Sequence, residues 1–190
     1  MAAGTAGFVA RLAEARIGTT FNFYRDGAGA PLRRERLRAY LGARMHARLL
    51  LVGEAAGYRG ARVSGVPFTS ERQLTGAGPA EASATIVHTV LADLGLDEEV
   101  LLWNLVPTHP HRPGKARSNR PPTQGEIAGG RPFLAELARG RRLVAVGRLA
   151  QRELGAPYVR HPSRGGSVEF REGLLQSALG GRAVRRFSVQ

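Results

Sequence analysis

Three short segments carry the side chains best suited to act on a small planar ligand, and each follows or closes an apolar run. Gly53-Glu54-Ala55-Ala56-Gly57, with Pro67-Phe68 behind it, offers a carboxylate and a flat aromatic face. Trp103-Asn104-Leu105 offers an amide whose donor and acceptor lie side by side. His161-Pro162-Ser163 offers an imidazole that can stabilise developing negative charge, and a hydroxyl beside it. If all three leave strand ends, they share one edge of one sheet, which is where open α/β folds keep their active sites.

The flanking pattern supplies those strands. Leu49 to Val52 is a continuous aliphatic run closed by Gly53, the signature of a parallel strand covered on both faces. Val100 to Val106, Leu143 to Val146 and Pro157 to Arg160 read as three more, the last ending at His161. Phe8 to Ile17 and Leu32 to Met45 repeat apolar residues at helical spacing. Pro79 to Leu94 does the same, with proline in its first turn. Thr123 followed three residues later by Glu126 is a capping box opening a helix to about Ala138. A short helix is expected behind Gly147 and a last one over Val168 to Leu179, with Ala183 to Val189 as an edge-strand candidate. Tyr58 to Thr75 reads as a long loop. Pro107 to Pro122 holds five prolines and is no regular element; it is either an ordered basic loop or a disordered one. The alternation predicts a three-layer α/β/α fold around a central, mainly parallel sheet of about four strands, in a single domain spanning 1–190.

The 190 residues include no cysteine, which removes disulfides, thiolate zinc sites, iron–sulfur clusters and cysteine nucleophiles together. No apolar run reaches membrane-spanning length, so a soluble cytoplasmic monomer is expected. A net charge of +13 favours a polyanionic partner, although an Arg-, Ala- and Gly-heavy composition with one lysine also fits a GC-rich genome. Position separates the two readings. Arg59, Arg62, Arg112, Lys115, Arg117, Arg120 and Arg164 leave the carboxyl ends of predicted strands, whereas Asp93, Asp97, Glu98 and Glu99 precede one. The face that carries the motifs is the basic one, and nucleic acid is the partner it fits.

In this order the motifs resemble those of the uracil-DNA glycosylase superfamily. The quoted matches are Gly53 to Gly57 with Gly65-Val66-Pro67-Phe68, Leu101 to Pro107 around Asn104, and Val159 to Ser163 around His161. The resemblance spans roughly residues 49 to 166. It implies hydrolysis of the N-glycosidic bond of uracil in DNA, and of other damaged bases where the pocket admits them. No cofactor and no metal are implied, and the enzyme is expected to associate with the nucleoid when bound to DNA.

The implied chemistry needs a base out of the stack, a leaving group stabilised as an anion, and water at an oxocarbenium-like sugar. Phe68 would stack the flipped base, with Gly53 and Ala55 in the same base-binding wall. Asn104 would pair with a uracil carbonyl and the adjacent ring N–H, which cytosine cannot match because its donor and acceptor are exchanged. His161 would hydrogen-bond the other carbonyl, and Glu54 would orient water or stabilise the sugar cation. Ser163, Arg164, Arg59 and Arg62 are the DNA-binding candidates, with Arg164 either a wedge or a backbone grip. Two departures stand out: Ala55 occupies the place of the Asp in the best-known branch, and Gly57 that of a Tyr that crowds out the thymine methyl. The opening Gly-Glu-Ala resembles the iron–sulfur branch, whose cysteines are absent. His109 and His111, two apart without a nearby carboxylate, read as phosphate contacts or exposed side chains rather than metal ligands. Lys115 is the only lysine available for a Schiff base, so simple hydrolysis to an abasic site is expected. The competing reading is a lesion-capturing, non-catalytic DNA-binding relative, consistent with the missing Asp. A phosphate-binding α/β enzyme is disfavoured because the Gly53 loop lacks P-loop and dinucleotide spacing.

Overall fold

A computed structural model describes residues 2–186, with side chains over 4–178. Four strands form one all-parallel sheet: β1 (Leu49–Ala55), β2 (Val100–Val106), β3 (Arg142–Val146) and β4 (Tyr158–Val159). They run in the order β2-β1-β3-β4. Period-two alternation sends successive side chains to opposite faces, so each strand feeds two cores. Leu50, Val52, Leu101, Trp103, Leu105 and Ala145 pack on one side against α1 (Ala2–Glu14), α2 (Ala30–Ala43), α6 (Gln124–Ala138) and α7 (Arg148–Leu154). Leu51, Leu102, Val144, Val146 and Val159 pack on the other against α5 (Ala82–Asp93) and α8 (Ser167–Arg186). The three-layer reading holds. Trp103, wholly buried, anchors the first face through an edge-on contact with Phe8 at 5.5 Å between ring centroids. At the outer edge of β2, the Leu102 N–H donates to the Tyr40 hydroxyl at 2.7 Å, which satisfies a ladder group that has no strand beside it.

Several sequence-based boundaries change. The Tyr58 to Thr75 segment contains two short helices, α3 (Ala61–Ser64) and α4 (Glu71–Thr75). The Ser70 N–H donates to Gln73 Oε1 at 2.8 Å, the capping-box bond that starts α4. Helix α5 begins only after Glu81, which places Pro79 ahead of the helix rather than in its first turn. Strand β4 is two residues long because Pro157 and the turn at His161 bound it. Helix α8 runs on to Arg186, over the first part of the segment expected as an edge strand; Ala183, Arg185 and Arg186 there favour helix. Residues 187–189 of that expected strand lie outside the described residues. No described helix is long and apolar enough to cross a membrane.

Candidate active site

Parallel pairing of β1 and β2 places Gly53 opposite Asn104. A Cβ at Gly53 would collide with the Phe68 ring and lie 3.0 Å from Asn104 Oδ1. Glycine at this position is therefore what lets the ring and the amide meet over β1. Phe68 itself holds φ +52°, in the left-handed region that a bulky residue rarely occupies, so the turn after α3 spends backbone energy to set this ring where it is. Asn104 is 4% exposed and lies two residues inside β2 rather than at its end. The strand is also the edge of the sheet. Its amide forms no hydrogen bond to any other described residue, which leaves donor and acceptor available to a ligand.

On the far side, His161 follows β4 across the sheet edge. The Ser163 N–H donates to His161 Nδ1 at 3.2 Å, and Ser163 Oγ lies 2.9 Å from the same nitrogen. A backbone N–H can only donate, so Nδ1 is the acceptor and the ring proton of neutral His161 sits on Nε2. Burial pushes the imidazole pKa down, in agreement with a neutral ring. A neutral donor is the form that can support a carbonyl gaining negative charge without first surrendering a proton.

One cavity of about 490 Å³ joins these groups: Glu54, Ala55, Phe68, Asn104, His161, Ser163 and Arg164 all line it. That volume suits a small-molecule pocket. Partial burial, by stripping water from the charged form, raises the Glu54 carboxyl above its ordinary value, while the Arg152 charge pulls it back. Arg164 takes φ +55° on an exposed turn at the rim. Arg59 and Arg62 do not line the cavity. Arg59 lies over the Tyr58 ring at 5.4 Å and Arg62 over Phe21 at 5.2 Å.

The proline-rich loop supplies what the sequence did not announce. Its residues Pro110, Asn119 and Arg120 complete the wall. His109 is fully buried rather than exposed, and its Nδ1–H donates to the Ala56 carbonyl at 2.8 Å. Asn119 Oδ1 accepts the Tyr58 N–H at 3.1 Å. These two bonds pin the Gly53–Gly57 loop from outside. The basic loop is itself anchored by a bidentate Arg120–Glu126 pair at 2.6 and 2.8 Å; Glu126 also accepts the Thr123 N–H at 2.9 Å. The Arg120 guanidinium holds the Glu126 carboxyl down to about 2. Glu126 was legible as a helix cap; its second role as an anchor had no sequence signal.

A family model for the uracil DNA glycosylase superfamily matches residues 40–180. The chain belongs to the uracil-DNA glycosylase superfamily. As a member of that superfamily it is a DNA glycosylase, of a family whose enzymes act in base excision repair. Among solved structures the glycosylase fold is matched by wild-type SMUG2 of Pedobacter heparinus, with a TM-score of 0.66 and 12% identity. The match covers 96% of this chain and 98% of that one. A comparison with curated protein sequences finds none that matches significantly. In this glycosylase, Glu81 and Ser83 also reach the cavity, and neither was singled out from the sequence.

Proposed function

We propose that this glycosylase hydrolyses the N-glycosidic bond of uracil in DNA and leaves an abasic site without cutting the strand. The observation that carries the reading is the single cavity in which Phe68, the unengaged Asn104 amide and the Nε2–H tautomer of His161 converge. Uracil stacks on Phe68. The Asn104 amide donates to O4 and accepts from N3–H, a pairing that cytosine reverses. As the bond from C1′ to N1 breaks, its electron pair leaves with the base, and the charge collecting on O2 is met by His161 Nε2–H. Water adds to C1′ of the oxocarbenium-like sugar and gives up a proton; Glu54 is the carboxylate placed to orient it or to offset the cation. Ser163, Arg164, Arg59 and Arg62 are assigned to the DNA backbone, with Arg112, Lys115 and Arg117 on the adjoining loop. No cofactor or metal takes part in this scheme, and the protein works as a monomer.

The reading is tested by incubating the protein with a uracil-containing oligonucleotide and treating it with alkali. Free uracil with strand breaks only after alkali supports hydrolysis. A stable complex without base release supports lesion capture instead, the reading favoured by alanine at position 55.

A further inference from the structure

Glu81 is a half-buried carboxyl for which the reaction above has no use. It is the N-cap residue of α5, yet its side chain makes no cap hydrogen bond. It turns instead onto the loop between β1 and α3, where a Cβ at Gly57 would collide with one of its oxygens and a Cβ at Gly60 with the other. The two glycines form a seat for this carboxyl. Glu71 and Glu126 are each held by a bidentate arginine, but no described side chain pairs with Glu81. Burial alone raises its carboxyl, with no cation opposing it. Unpartnered carboxyl oxygens beside a ligand cavity cost free energy unless a ligand or water satisfies them.

We propose that Glu81 forms the third wall of the base pocket and selects bases that present a hydrogen-bonding group, rather than a methyl, to the β1–α3 loop. The inference rests on the uracil reading. With O4 and N3–H at Asn104 and O2 at His161, the C5 edge of the ring is what remains to face Ala55, Ala56, Gly57 and Glu81. A hydroxyl on C5 can donate to the carboxylate or accept from the protonated acid. A methyl there strips the carboxyl of water and returns nothing. The room that Gly57 leaves is thus filled by a polar group from the start of α5, and the pocket is narrower and more selective than glycine alone implies.

The test is single-turnover release of uracil, thymine and 5-hydroxyuracil, each opposite guanine in the same duplex, with every rate divided by the same variant's uracil rate. Methyl and hydroxyl are nearly equal in size, so the comparison isolates polarity. Wild type favours 5-hydroxyuracil over thymine, and Glu81→Ala lowers that preference by at least about tenfold. Gly57→Ala, whose Cβ displaces the carboxyl from its seat, lowers it likewise and carries the test if Glu81→Ala unfolds. Glu81→Gln, which keeps volume and hydrogen bonding, stays within about threefold of wild type. Uracil release with an unchanged preference in folded Glu81→Ala and Gly57→Ala overturns the inference alone. A wild type that releases none of the three bases overturns the uracil reading and this inference with it.

Discussion

Replacing Glu126 by alanine removes the anchor of the basic loop, and its cost can be worked from the contacts. The Glu126 side chain is 2% exposed and its two oxygens take Arg120 at 2.6 and 2.8 Å as well as the Thr123 N–H. Deleting one partner of a buried ion pair costs about 3–5 kcal/mol because the other charge is left uncompensated. Arg120 remains 19% exposed and regains some hydration, so the lower figure, about 3 kcal/mol, applies. For a chain of this length that lowers Tm by about 6–12 °C. The sign with pH follows from the carboxyl being held down to about 2, against an ordinary 4.5. Its charge-dependent contribution is fully present above about pH 4.5 and is lost as pH falls towards 2. Thermal unfolding of wild type and Glu126→Ala at pH 7 and pH 3 should therefore show a large gap that narrows in acid. A gap under 2 °C at pH 7, or one of equal size at both pH values, refutes the anchoring argument.

Two further outcomes concern the pocket itself. Gly53→Ala drives a methyl into the Phe68 ring and towards Asn104, so single-turnover excision should fall by about 100-fold. Circular dichroism should report a folded protein destabilised by about 1–3 kcal/mol; excision within a few-fold of wild type would mean that the ring and amide do not hold the base. His161 should act as the neutral ring, and burial lowers its pKa. The pH–rate profile should thus stay level as pH falls through about 6.5 and drop only in more acid solution, in Glu54→Gln as in wild type. A rate that rises between pH 7 and pH 5 would identify the imidazolium as the active form.

Strand-end motifs were legible because parallel strands buried on both faces write themselves as unbroken aliphatic runs, as Leu49 to Val52 and Val100 to Val106 do. Thr123 and Glu126 announced α6 because a capping box is a local signal. What escaped was non-local. Five prolines make the Pro107–Pro122 loop read as surface, yet His109 is buried by a bond to a carbonyl more than fifty residues away. Glu81 looks like any helix-start carboxylate until the fold lays it across Gly57 and Gly60. Ser70 and Gln73 did carry a readable capping pattern, and the short helix they start was missed for brevity rather than for want of signal.

The central claim is that Asn104 and His161 together recognise and stabilise a departing uracil. Single-turnover release of uracil by wild type, Asn104→Ala and His161→Ala, each checked for folding, addresses it most directly. Losing the Asn104 pairing should slow release at least about tenfold, and losing the His161 donor about 100- to 1,000-fold. Release by either folded variant within a factor of about three of wild type would contradict the account.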